Sequence, residues 1–116
     1  MTMATVTYTD AAVLRDFRDL FRLTLEEVEA TGLSRSTWAR IEAGDESDRR
    51  EGVQKRLRVF RNLLSLVGKM SYTEARAWAV RPLPHRKKTP RDIILSGISG
   101  SNYLIAALVG REETVA

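Results

Sequence analysis

The sequence of 116 residues contains no cysteine, only three prolines and a single histidine. The absence of cysteine excludes disulfide bonds and thiolate metal sites. No apolar run approaches the roughly 20 residues that a membrane-spanning helix needs, and residues 1–6 lack the apolar segment of a signal peptide. We therefore expect a cytoplasmic protein that has no membrane partner.

Signatures of catalysis and of cofactor binding are also missing. The one histidine, His85, has no carboxylate or serine spaced to work with it, so a solvated histidine is the simpler interpretation. The sequence has neither a metal-ligand cluster nor a phosphate-binding glycine loop. We therefore expect no enzymatic activity, no metal site and no cofactor.

The composition favours a folded domain with an anionic partner. Hydrophobic residues make up 43% of the chain, which suffices for one compact domain or for two helical lobes that share a core. The 19 basic and 15 acidic residues give a net charge of +4. This positive net charge suits binding to nucleic acid but does not by itself demonstrate such binding.

Capping residues and apolar periodicity predict an all-α fold of about seven helices. The predicted helices span approximately residues 10–22, 25–31, 35–43, 53–68, 71–81, 90–96 and 101–109. Asp10 is the expected cap of the first helix, and Gly110 is expected to end the last one. Two of the loops between these helices are charged. The loop of residues 45–52 has no evident reason to be rigid, and the loop of residues 81–88 is expected to be extended.

Arg56 lies within the apolar arc of the longest predicted helix. Its aliphatic stem can pack on apolar neighbours while its guanidinium reaches solvent. The alternative is an ion pair at an interface. The sequence leaves both environments open.

The stretch from residue 23 to residue 44 carries the most specific pattern. Thr24 and Glu27 form a capping box that begins a short helix, and Gly32 supplies the left-handed turn that ends it. Ser34 can cap a second helix. The apolar residues on the buried edge of that helix are Trp38 and Ile41. Two short helices joined by a glycine turn predict a helix-turn-helix unit.

The run from Ser34 to Gly44, SRSTWARIEAG, resembles the second helix of the helix-turn-helix in the phage-repressor-like (Xre) family. The preceding segment is one residue shorter than the family pattern, which rotates the second helix by roughly 100° unless the turn absorbs the change. The resemblance implies operator DNA as a partner. The residues implied to face base edges are Arg35, Ser36 and Arg40, and those implied to contact phosphate are Thr24 and Thr37. The alternative is that both arginines are solvated charges on a scaffold helix.

A second set of residues lies in the C-terminal half: a tryptophan, a proline four residues on, a basic run and a P-x-D-apolar-apolar-x-x-G element. They are Trp78, Pro82, Arg86–Lys88 and Pro90–Gly97, with Gly110 closing the last helix. Their order resembles the toxin-binding domain of the Xre/MbcA/ParS family of antitoxins. The resemblance implies a helix-turn-helix lobe (1–50), a bridging helix (51–70) and a toxin-binding lobe (71–116).

Membership of that family implies an antitoxin of a type II toxin–antitoxin system. Such a protein neutralises a RES-domain toxin, an enzyme that destroys NAD, by covering its active site, and it represses its own operon. The residues implied to contact the toxin are Arg86, Lys87, Lys88, Tyr103, Arg111, Glu112, Glu113, Thr114, Val115 and Ala116. A frayed chain end is the alternative for residues 111–116.

A stand-alone DNA-binding repressor with a dimerising C-terminal half is the alternative function. Repressors with this motif usually bind two half-sites about one DNA turn apart as two-fold dimers. The expected assembly is therefore a homodimer or a hetero-oligomer with the toxin.

Overall fold

The computed structural model describes residues 8–84 and 86–114, with side chains as far as residue 110. Within these residues the fold is all α-helical, as predicted, with six α-helices and one 3-10 helix. The α-helices are α1 (Asp10–Phe21), α2 (Arg35–Glu42), α3 (Glu51–Val67), α4 (Tyr72–Ala79), α5 (Pro90–Leu95) and α6 (Gly100–Thr114), and the 3-10 helix (Glu27–Thr31) lies between α1 and α2.

Side-chain caps begin the helices close to the predicted positions. Thr9 caps α1 in place of Asp10, which is the first residue of the helix. Ser34 and Ser71 cap α2 and α4. Each hydroxyl accepts a hydrogen bond from the backbone N–H of the residue three positions later. Thr89 forms a complete capping box at the start of α5. These bonds satisfy amides that the first helical turn leaves without intrahelical partners.

The first helix of the predicted helix-turn-helix is a 3-10 helix that begins at Glu27, two residues later than expected. The capping box is present ahead of it, with the Thr24 N–H donating to Glu27 Oε1 at 2.9 Å and the Glu27 N–H donating to Thr24 Oγ1 at 3.1 Å. A 3-10 helix rises about 2.0 Å per residue against 1.5 Å in an α-helix, so it covers more length with fewer residues. This geometry suits a segment that is one residue short. Gly32 ends it in the left-handed region, at φ 104°.

The last helix does not end at Gly110. The backbone of α6 stays helical as far as Thr114, which corrects the expected end at Gly110. One glycine inside a helix costs only about 1 kcal/mol relative to alanine, and the Arg-Glu-Glu run after it has good helix propensity. The side chains of Arg111, Glu112, Glu113 and Thr114, and the whole of Val115 and Ala116, lie outside the described residues, so their predicted role stays a prediction.

One hydrophobic cluster draws on all parts of the chain. Phe17 of α1 is fully buried, with its ring centroid 4.9 Å from that of Phe21 and 4.3 Å from that of Phe60. α3, which carries Phe60, packs against both α1 and α6. Leu104 of α6 belongs to the same buried cluster. The three predicted segments therefore share a core, while the division of roles between them stays a prediction.

Arg56 of α3 is buried although it is charged, with only 7% of the residue exposed. Its Nη1 donates to the carbonyl oxygen of Ile98 at 3.0 Å and lies 3.5 Å from that of Thr31. Burial lowers the pKa of Arg56 from its ordinary value. Its partners among the described residues are backbone carbonyls, so the guanidinium neither reaches solvent nor pairs with a carboxylate of this part of the chain. We call this arrangement the Arg56 clasp; it joins the 3-10 helix, α3 and the α5–α6 connection.

Gly32→Ala should destabilise the fold more than Gly44→Ala. Both glycines have positive φ, 104° and 113°, so each substitution introduces left-handed strain of about 1–2 kcal/mol. A Cβ at Gly32 would also lie 2.8 Å from Cδ of Arg56 and 3.2 Å from Cγ1 of Ile98, whereas one at Gly44 meets nothing within 4 Å. We expect the Gly32 variant to lose roughly 1–3 kcal/mol more in urea denaturation. Equal losses would contradict a tightly packed Arg56 clasp.

Candidate nucleic-acid interface and docking surface

The buried side of α2 determines which of its residues face solvent. Trp38 and Ile41 are almost completely buried, and the Trp38 ring lies 5.8 Å from the Phe60 ring of α3. The Trp38 indole N–H donates to Glu42 Oε2 at 3.0 Å. Glu42 also accepts from Arg18 of α1 at 2.6 Å. Packing and these hydrogen bonds together fix the rotation of α2 about its axis.

The opposite side of α2 is open to solvent, and we call it the outer α2 face. Its exposed residues are Arg35, Ser36, Ala39, Arg40 and Ala43. The two alanines leave room for a large partner to approach the helix backbone. Three of the five residues predicted to contact DNA lie together on this face.

The other two predicted contact residues lie elsewhere and have partners within the chain. Thr37 is buried, and its hydroxyl accepts from Nη2 of Arg50 at 3.0 Å. Thr24 is exposed and precedes the 3-10 helix. Its hydroxyl accepts the backbone N–H of Glu27 in the capping box. Neither hydroxyl lies on the outer α2 face.

Carboxylates of the chain itself accompany both arginines of the outer α2 face. Arg35 Nε lies 3.0 Å from Glu29 Oε1, and more than half of each side chain is exposed, so solvent screens this pair. Arg40 pairs with two carboxylates, through Nε with Asp45 at 2.9 Å and through Nη2 with Asp48 at 2.5 Å. The face is therefore not a simple positive patch.

The loop between α2 and α3, expected to have no reason to be rigid, is closely hydrogen-bonded. Asp45 accepts from the backbone N–H of Ser47 at 2.8 Å and from its hydroxyl at 2.5 Å. The carbonyl oxygen of Asp48 accepts from Gln54 at 2.6 Å, which ties the loop to α3. Sequence periodicity carries no signal for such contacts, because they join residues of an irregular segment.

The loop and α2 line an open cleft of about 520 Å³. Arg49 and Arg50 lie at this cleft and were not assigned from the sequence, where DESDRR has the appearance of a solvated charge run. Arg50 donates to both Asp48, at 2.7 Å, and Thr37. It therefore connects the loop to the edge of α2.

Hydrogen bonds to the two loop carboxylates favour their ionised forms. The guanidinium of Arg50 holds the pKa of Asp48 well below its usual range, and the Arg50 backbone N–H and the Arg40 side chain add to this effect. The hydroxyl and the backbone N–H of Ser47 lower the pKa of Asp45. Both carboxylates are therefore charged at neutral pH.

A second surface lies where the basic loop meets α6. The loop 81–88, predicted to be extended, closes into a turn in which the Leu83 N–H donates to the Lys88 carbonyl oxygen at 3.1 Å. The Arg86 guanidinium carbon lies 4.4 Å from the ring centroid of Tyr103, a cation–π contact. Lys87 and Lys88 are exposed, and His85 lies outside the described residues. Two of the residues predicted to contact a toxin are thus in contact with each other.

α6 lacks the usual division into an apolar and a polar side. Leu104 and Leu108 are buried, and the exposed residues of the helix are also mostly apolar. We call Tyr103, Ala106, Ala107 and Val109 the outer α6 face; Asn102 is the polar residue beside it. No charged residue occurs from 100 to 110. Exposed apolar helix surface of this kind is typical of a contact with another molecule.

Comparisons with known proteins do not place the chain in a family: no family model, no curated protein and no solved structure matches it. Within residues 8–84 and 86–114, no helix is long and apolar enough to cross a membrane. The same residues contain no group of three or more His, Cys, Asp and Glu arranged to hold a metal ion. The outer α2 and α6 faces are the surfaces on which a functional proposal can be based.

The unfolding free energy should decrease as the pH falls from about 5 towards 2. Asp45, Asp48 and Asp92 have lowered pKa values in the folded protein, so the unfolded chain takes up protons first, near pH 4, and acid favours unfolding. Asp48→Asn removes one of these groups and should flatten the decrease. Urea denaturation at several pH values measures it, with Glu46→Gln in the same loop as the control. Parallel curves for the wild type and Asp48→Asn would contradict the prediction.

Proposed function

We propose that the chain is the antitoxin of a type II toxin–antitoxin system in the cytoplasm. Its C-terminal half neutralises an NAD-degrading RES-domain toxin, and its outer α2 face binds operator DNA and represses the operon. The observation that carries the proposal is the outer α6 face. It is an apolar helix side that residues 8–84 and 86–110 leave exposed, in the segment whose sequence resembles the toxin-binding domain.

Neutralisation would work by occlusion. A stable protein–protein interface covers roughly 800 Å² on each partner, and an exposed apolar helix supplies the central part of such an area. The basic residues Arg86, Lys87 and Lys88 lie on the loop that contacts this helix and suit an acidic rim on the partner. Glu112 and Glu113 come after the outer α6 face in sequence and would pair with arginines of a phosphate-binding cavity.

Repression would use the exposed side of an eight-residue helix. The 3-10 helix, the Gly32 turn and α2 succeed one another in the order of a helix-turn-helix. Arg35 and Arg40 project from the outer α2 face, and an arginine there can bond bidentately to guanine O6 and N7. Because carboxylates accompany both arginines, attraction to phosphate alone is weak at this face and base contacts gain relative importance.

Ala107→Glu should abolish neutralisation because it places a charge in the middle of the outer α6 face, which would be buried on binding. The test co-expresses each variant with a RES-domain toxin that the wild-type chain neutralises, and measures growth, cellular NAD and co-purification. Ser65→Glu on α3 adds the same charge at another exposed helix position and serves as the control. Equal rescue by both variants would rule out the outer α6 face as the toxin contact.

Arg35→Ala combined with Arg40→Ala should weaken the retardation of operator DNA in a gel while rescue of growth stays intact. The reason is that both arginines lie on the outer α2 face and neither belongs to the outer α6 face. Loss of one guanine contact is worth about 1–3 kcal/mol, so the double variant should bind at least tenfold more weakly. Unchanged retardation would remove the assignment of these arginines to base contacts.

The outer α6 face also supports the second candidate, a stand-alone repressor that dimerises through α6. The observation that favours it is the small size of Ala106 and Ala107, which permits close approach of the same face of a second copy. The two candidates differ in one measurement. A repressor of this kind is a dimer that Ala107→Glu converts to a monomer, and it does not bind the RES-domain protein.

A further inference from the structure

Asp48 is the most enclosed carboxylate near the outer α2 face, with only 6% of its side chain exposed. Its Oδ2 accepts from Nη2 of Arg40 at 2.5 Å and from Nη2 of Arg50 at 2.7 Å. Its Oδ1 accepts from the backbone N–H and from Nε of Arg50, both at 3.1 Å. Arg50 in turn donates to Thr37 of α2 at 3.0 Å. Asp48 therefore fixes Arg40 to a loop that is itself bonded to the helix.

The two carboxylates that hold Arg40 contact one edge of its guanidinium. Asp45 pairs with Nε and Asp48 pairs with Nη2. Within the described residues Nη1 has no recorded partner, and Nη2 carries a second hydrogen. The end of the guanidinium formed by Nη1 and Nη2 is thus available, and 44% of the side chain is exposed. Two parallel N–H groups on that end match guanine O6 and N7.

We propose that Asp48 is a positioning residue that holds Arg40 in the orientation for bidentate recognition of guanine in duplex DNA. The proposal rests on the proposed function of the outer α2 face. A long side chain that is already ordered loses less conformational freedom when it binds, so the restraint favours the correct base pair. The lowered pKa of Asp48 is consistent with a carboxylate that stays charged in this role.

A carboxylate beside an arginine can also act as a shield that competes with DNA phosphate. The two roles predict opposite results when the charge is removed. If Asp48 positions Arg40, Asp48→Asn should weaken binding to the preferred sequence and leave binding to other sequences unchanged or stronger. If Asp48 only shields Arg40, the variant should bind both kinds of sequence more tightly, by a similar factor.

The test uses the full chain and a pool of duplexes with a randomised core of about 20 base pairs. A preferred duplex is selected with the wild type, and its dissociation constant is compared with that of a scrambled duplex of the same composition. We expect Asp48→Asn to lower the ratio of the two affinities roughly fivefold, because Arg40 must then be ordered when it binds the preferred duplex. Circular dichroism confirms that each variant is folded.

Glu46→Gln is the matched control, because it removes one negative charge from an exposed side chain of the same loop. Among the described residues Arg49 contacts Glu46 only at its carbonyl oxygen, which the substitution keeps. It should leave the affinity ratio within about twofold of the wild type. Arg40→Lys keeps the charge but loses the planar fork, so it should lower the ratio as Asp48→Asn does. This second variant carries the test if Asp48→Asn does not fold.

An unchanged or raised ratio for Asp48→Asn, or an equal fall for Glu46→Gln, overturns the proposal while DNA binding by the outer α2 face stands. If Asp48→Asn does not fold, an unchanged ratio for Arg40→Lys overturns it in the same way. Failure of the wild type to select any sequence overturns both the proposal and the DNA-binding function on which it rests.

Discussion

The burial of Trp38 determines where α2 lies and which of its sides faces solvent. A helix of eight residues is not stable alone in water, so tertiary packing must hold α2 in place. The indole lies among the rings of Phe17 and Phe60, and its N–H is bonded to Glu42, which Arg18 holds in turn. Because this contact fixes one side of α2, it also decides that Arg35 and Arg40 face outward.

The Arg56 clasp connects the two surfaces. A buried guanidinium without a counter-charge is unfavourable unless its N–H groups are bonded, and here backbone carbonyls receive them. One of these carbonyls belongs to Thr31, directly before the turn into α2, and the other to Ile98, two residues before α6 begins. The same side chain therefore contacts the segments that lead into α2 and into α6.

Much of the fold was predictable from the sequence, and the candidate site was predictable only in part. Caps such as Ser34 and Thr89 act through neighbouring residues, so local pattern reveals them. The passage of α6 through Gly110 was missed because a glycine signals an end but does not impose one. The contacts of Asp48 were missed since they depend on how an irregular loop folds back onto a helix.

If the chain carries two separate binding surfaces, hydrogen–deuterium exchange should locate them in different segments. Exchange is measured on the chain alone, with a RES-domain protein that the wild-type chain neutralises, and with a DNA duplex selected by the wild type. We expect the protein partner to slow exchange in residues 86–110 and DNA to slow it in residues 34–50. A partner that protects α2 instead, or no protection of α6 by the RES-domain protein, would contradict the account.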